Sequence, residues 1–160
     1  KPSGFFVFGD DVFMFFGMVS VLGAYFVCTH SFGSYKMFLP AVSIGLFCTG
    51  VLNVNNIRDM ENDRGIRKTI PLKIGERNAK IYQTVLIILG LGCMVAYFCL
   101  TYPNWKHWMF MLTLPLYIIH LVKVWKYSGK SLDPQVPFLS ITTFLLAVLA
   151  GAGYYFCIFD

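Results

Sequence analysis

Residues 53–64 read Asn-Val-Asn-Asn-Ile-Arg-Asp-Met-Glu-Asn-Asp-Arg, and they close an apolar run that begins at Met37. Four asparagines, three acids and two arginines thus follow directly on a hydrophobic segment. If a helix continues past Val54, residues three and four apart share a face, and Asn55, Asn56, Asp59, Asn62 and Asp63 form one polar stripe. Asp59 and Asp63 are one i,i+4 step apart, so two carboxylates point the same way and repel. A divalent cation relieves that repulsion. Carboxylate and amide oxygens suit Mg²⁺, which is commonly held by one or two carboxylates together with substrate phosphates. That ligand habit implies a phosphorylated substrate. Arg58, Arg64, Arg67, Lys68 and Lys73 supply planar forks and point charges for phosphate oxygens. From spacing alone, a solvated helix end with Glu61 paired to Arg58 or Arg64 stands as the alternative. The asparagines weigh against it, because polar groups at the end of a membrane run are costly and tend to be functional.

Composition widens the reading from this stretch to the whole chain. Of 160 residues, 57% are hydrophobic and only 13% charged, against about 25% charged in soluble domains; mean hydropathy is +0.64. Apolar runs recur along the whole length, which one secretory signal does not explain. Spans are expected at about 12–28, 37–55, 81–101, 107–123 and 136–158, since a bilayer core of about 30 Å needs about 20 apolar residues in a helix. The fourth run is the shortest and contains Pro115 and His120. Runs such as TVLIILGLGCMVAYFCL lack the alternation of a membrane strand. The expected fold is an all-α integral membrane protein with about five transmembrane helices, in a single membrane domain over 1–160.

The net charge of +5 is distributed, not patched. Seven basic residues lie between Arg58 and Lys80, three at Lys123, Lys126 and Lys130, and one at Lys1; Lys36 and Lys106 alone occupy the alternate connections. That bias places the connections after the second and fourth spans on the cytoplasmic side by the positive-inside rule. Attraction to anionic lipid headgroups accounts for most of the charge, and nucleic acid is not an expected partner. Cys28, Cys48, Cys93, Cys99 and Cys157 form no CxxC pair and read as packing thiols. His30, His107 and His120 show no ligand-like spacing. Asp133, before Pro134, reads first as a cap for the last helix and second as a residue facing the same cavity as Asp59. The segment 65–78 reads as a lid.

The string NNIRDMENDR followed by KT-I-PLKIG closely resembles the second aspartate-rich motif of the UbiA superfamily of intramembrane prenyltransferases. Its paired Asn before Arg-Asp is similar to the branch that prenylates dihydroxynaphthoate in menaquinone synthesis. The resemblance runs upstream through GDDVFMFFGMVSVLGAYFV and downstream to LDPQVPFLSITTFLL. Two departures stand out. Gly65-Ile66-Arg67-Lys68-Thr69 is one residue shorter than the family's usual segment, with Ile66 in place of its glycine. A first Asn/Asp-rich motif is not found, and the chain opens abruptly at Lys1, so it is expected to be the C-terminal portion of a bundle of about nine helices. On that expectation the N-terminal helices are its partners, and by itself it is inactive.

The resemblance implies the following chemistry. An allylic polyprenyl diphosphate binds with Mg²⁺ held between two Asp-rich motifs, here by Asp59 and Asp63. Arg58 pairs with Asp59 or contacts diphosphate, and Asn55, Asn56, Arg64, Arg67, Lys68 and Lys73 are the other diphosphate candidates. Diphosphate leaves, the allylic carbon alkylates 1,4-dihydroxy-2-naphthoate, and carboxyl loss gives a demethylmenaquinone. The implied location is a bacterial inner membrane with the Asp-rich loop cytoplasmic. Two competing classes fit less well. CDP-alcohol phosphotransferases need an Asp-Gly…Ala-Arg…Gly run that is absent, and a transporter or headgroup-binding subunit is expected to show internal repeats, which the sequence lacks.

Overall fold

The computed structural model describes residues 8–31, 34–66, 68–101 and 104–158. The chain forms α1 (Phe8–Thr29), α2 (Phe38–Arg58), the short α3 (Ile70–Ile74), α4 (Glu76–Thr101), α5 (Leu114–Lys126) and α6 (Gln135–Ile158). Short 3₁₀ turns precede α2, α5 and α6, and no strand occurs among the described residues. Among the described residues four helical segments are long and apolar enough to cross a bilayer: Tyr35–Arg58, Glu76–Thr101, Trp105–Lys126 and Gly129–Gly153. Of the first expected span, Gly17–Thr29 is a shorter apolar stretch within α1.

Helix α2 lies at the centre, packed against α1, α4 and α6. Within lipid there is no hydrophobic drive between helices, so association depends on close packing and interhelical hydrogen bonds. Both are visible. Helices α1 and α2 touch backbone to backbone, because a Cβ at Gly17 would lie 2.5 Å from Gly45 Cα and one at Gly45 would lie 2.6 Å from Met14 O. Gly90 of α4 leaves room for the Phe47 ring, whose Cε1 would meet an added Cβ at 2.8 Å. Ser43 Oγ donates to Gly90 O at 2.7 Å. Phe47 stacks on Tyr117 with centroids 4.9 Å apart, and Phe98, Phe110, Leu139 and Leu146 complete that core.

A second, smaller core joins Val54, Ile57, Ala79, Val124 and Leu132, with Ile74 packed on it. Between the two lies a buried polar chain. Asn53 Nδ2 donates to Ala79 O and to Gln83 Oε1, both at 3.0 Å. Gln83 Nε2 in turn donates to His120 Nε2 at 3.2 Å. His120 therefore serves as a hydrogen-bonding group inside the bundle and not at the interface expected for it.

The fourth run extends beyond its expected bounds: Trp105–Lys126 covers 22 residues and is long enough to cross a bilayer, and its first part is not α-helical. Trp105–Thr113 is instead a 3₁₀ helix, which rises about 2.0 Å per residue. Residues at i and i+3 eclipse in such a helix, and its buried residues are His107, Phe110 and Thr113. Pro115 in the first turn of α5 starts the α-helical part, where a missing N–H is harmless.

The connection 59–69 and the connection 127–134 meet at one end of the bundle. Lys80 Nζ donates to Tyr127 O at 2.9 Å and Ser128 Oγ at 3.1 Å, and pairs with Glu76 at 2.7 Å. Its ammonium is buried, so this cation fastens the start of α4 to the connection 127–134 rather than facing headgroups. At the opposite end Lys36 Nζ donates to Leu100 O at 2.7 Å. Two outcomes test this packing. Gly45→Val is expected to cost about 1–3 kcal/mol by forcing α1 from α2, and a fall in the detergent unfolding midpoint checks it. In a double-mutant cycle, Gln83→Leu with His120→Phe is expected to give a coupling of about 0.6–1.7 kcal/mol; denaturant unfolding of the four proteins in mixed micelles measures it.

Candidate functional site

Helix α2 carries the polar stripe only part of the way. It ends at Arg58, with Asp59 as its C-cap at φ −92° and ψ 4°, and residues 59–66 form consecutive turns. The expected helix through Asp63 is therefore corrected. The register nevertheless survives, because Asp63 N–H bonds to Asp59 O at 2.9 Å and Ile66 N–H to Asp63 O at 3.1 Å. Gly65, at φ +83°, supplies the left-handed residue that ends such a segment. Asp59 and Asp63 are half-buried, whereas Glu61, Asn62 and Arg64 are exposed. The two acids are thus less exposed than these three neighbours in the loop.

Arg58 governs the electrostatics of this end. Its Nε donates to Asp59 Oδ1 at 2.9 Å and its Nη2 to Asp59 Oδ2 at 2.7 Å. A guanidinium–carboxylate fork of this kind is the strong form of ion pair. The same Nε lies 3.4 Å from Asp133 Oδ1. Asp133, read first as a cap for α6, thus also reaches the end of α2. Its carboxylate turns to Arg58 and brings the second connection into the site.

A cleft of about 330 Å³ opens here, lined by Arg58, Glu61 and Asn62 on one side and Ser128, Gly129 and Lys130 on the other. Of the residues picked from the sequence, Arg58 and Asn62 line it, whereas Asp59 and Asp63 do not. Asn55 and Asn56 are half-buried on the last turns of α2. Arg64, Lys68 and Lys73 are exposed, and Arg67 lies outside the described residues. Ser128, Gly129 and Lys130 were missed, since nothing local in KYSGKSLD marks them; the one available signal was that their connection falls on the same side as Asp59. The lid reading narrows as well. Pro71 is buried and Ile74 packs on the second core, so the later part of 65–78 is anchored.

The donor set can be weighed against a hard cation. Among the described residues no group of three or more His, Cys, Asp and Glu converges. What the chain offers is two carboxylates one hydrogen-bonded turn apart, Asp59 being paired with Arg58. That suits an ion completing its shell with water and phosphate oxygens, and it amounts to part of a site. Cys28, Cys48, Cys93 and Cys99 carry free thiols.

Comparison with known proteins is consistent with these features. Residues 7–145 match the UbiA prenyltransferase family. A 1,4-dihydroxy-2-naphthoate octaprenyltransferase of Haemophilus influenzae is 32% identical over 156 residues, covering 96% of this chain and 50% of the relative. The protein of that name from Escherichia coli is 35% identical over 136 residues, covering 84% and 42%. One from Mycobacterium tuberculosis is 34% identical over 94 residues, covering 57% and 32%. This chain thus spans about half the length of the relatives it matches over most of its own. No solved structure matches it. On the family match and on the relatives it is a multi-pass, all-α membrane chain, and it belongs to the UbiA prenyltransferase family.

Proposed function

We propose that this chain supplies one half of the site of an intramembrane enzyme that moves a polyprenyl group from an allylic polyprenyl diphosphate to 1,4-dihydroxy-2-naphthoate, giving a demethylmenaquinone. The observation that carries the reading is the half-buried pair Asp59 and Asp63, one hydrogen-bonded turn apart, at the end of the bundle where Arg58 and Lys130 line a cleft. The names of the relatives support the acceptor.

In this reading Asp59 and Asp63 hold Mg²⁺. Bound there, the ion would neutralise charge on the departing diphosphate. Arg58, with its planar fork, orients the diphosphate or the Asp59 carboxylate. Asn55 and Asn56 orient donors around the acids, and Arg64, Arg67, Lys68 and Lys73 provide further positive charge as the diphosphate arrives. The bond that breaks joins the allylic carbon to a diphosphate oxygen, and the one that forms joins that carbon to the electron-rich ring. The ring's carboxyl group leaves as carbon dioxide and restores the aromatic electrons. The apolar bundle keeps water from the reacting carbon. The remaining acidic ligands come from a segment outside these 160 residues, for which the longer relatives leave room. The bacterial relatives and the charge bias support an inner-membrane location with the Asp-rich loop cytoplasmic.

Asp59→Asn and Asp63→Asn in the full-length protein are each expected to lower turnover of polyprenyl diphosphate and dihydroxynaphthoate by about 10²–10³-fold. Chelation of Mg²⁺ is expected to abolish turnover and readdition to restore it. Unchanged turnover in both variants removes the metal assignment. The 160-residue chain alone is expected to be inactive in the same assay, and robust product from it would show that the site is whole within this chain.

A further inference from the structure

Arg58 stands between two carboxylates that hold it unequally. Both Asp59 oxygens accept from it, at 2.9 and 2.7 Å, while Asp133 Oδ1 approaches its Nε at 3.4 Å. The Asp133 side chain is 60% exposed and that of Asp59 29%. The Asp133 contact is thus the looser one, since an exposed ion pair is weak and readily exchanged. Asp59 has the opposite difficulty. While the guanidinium fork occupies both of its oxygens, it competes poorly for a cation. Removing the fork without a replacement would leave a bare guanidinium close to the membrane, which is costly. The cleft beside Arg58 has Lys130 on its far wall, so an anion entering it meets the Lys130 ammonium on one side and, on the other, a guanidinium already committed to Asp59.

We propose that Asp133 is a positioning residue that takes over the Arg58 guanidinium when Asp59 turns from it to a divalent cation carrying a diphosphate. The proposal rests on the prenyltransferase reading above. Before loading, Arg58 masks the Asp59 carboxylate and keeps the acids from repelling. On loading, the anion enters between Arg58 and Lys130, and Arg58 moves the short distance to Asp133. Its charge is then balanced from two sides, and the Asp59 oxygens are released. No covalent bond changes in this exchange. Asp133 touches neither the metal nor the reacting carbon and acts through Arg58 alone. The connection before α6 thereby becomes a working part of the site, linked to the end of α2 by one mobile ion pair.

The test is a Mn²⁺ titration followed by electron paramagnetic resonance, on the full-length protein in detergent with inorganic pyrophosphate. Wild type is compared with Asp133→Asn, Asp133→Glu and Asp59→Asn, and each unfolding midpoint is recorded. Asp133→Asn is expected to weaken Mn²⁺ binding about tenfold, as loss of a residue supporting a metal ligand does, with its unfolding midpoint unchanged. Asp133→Glu, which keeps the charge, is expected to hold most of the affinity. It also carries the test should the Asn variant fold poorly. A wild-type site that is lost in Asp59→Asn but intact in Asp133→Asn overturns the exchange and leaves the prenyltransferase reading standing. An equal loss in Asp133→Glu and Asp133→Asn also overturns it, since shape and not charge would then matter. Failure of wild type to bind Mn²⁺ with pyrophosphate, or binding untouched by Asp59→Asn, overturns the reading and the exchange together.

Discussion

The two amide hydrogens of Asn53 both go to α4, one to Ala79 O and one to Gln83 Oε1. Lipid offers no competing partner for a buried amide, so such a pair fixes both the depth and the rotation of α2 against α4. Everything polar at that end follows from it. Asn53 is 1% exposed and lies six residues before Asp59, about 9 Å of helix. Setting its depth therefore sets the height at which α2 ends. Gln83 passes the constraint to α5 through His120. Gly50 leaves space for the Gln83 amide, whose Nε2 would sit 3.2 Å from an added Cβ.

Much of the architecture could be read from the sequence because membrane helices announce themselves by composition. The long runs became α2, α4 and α6, with ends near those expected. The pairing of the two long connections at one end could also be read, since it follows from counting spans. The end of α2 could not. Nothing in Arg58-Asp59-Met60-Glu61 forbids a helix, and the break arises where the Asp59 side chain commits to Arg58 and the chain turns toward Gly65. The 3₁₀ stretch was hidden as well: Trp105–Thr113 has no proline or glycine within it to mark a change of helix type. The Asn53–Gln83–His120 chain needs three helices at known rotations, which no linear pattern carries.

The candidate site divides in the same way. Its local part, Asp59 and Asp63 one turn apart, was legible because an i,i+4 spacing survives as a single hydrogen bond even outside regular helix. Its distant part was not. Asp133 reaches Arg58 from another connection, and Ser128, Gly129 and Lys130 line the cleft by virtue of where the Lys80 staple holds their backbone. Several basic residues that looked suited to phosphate are exposed, because a run of like charges in sequence spreads around a turn instead of converging.

The 3₁₀ segment also makes one helix of the bundle extensible. Rewinding its nine residues as α-helix would shorten that helix by about 4.5 Å and turn its inner ridge away from α6. Gly153 of α6 rests on that ridge, where an added Cβ would meet Lys106 O at 2.5 Å. Mismatch between a hydrophobic span and the surrounding lipid is relieved wherever the protein yields most readily. Rewinding of this kind would let the α5 segment shorten in a thinner bilayer while α2 kept its own length.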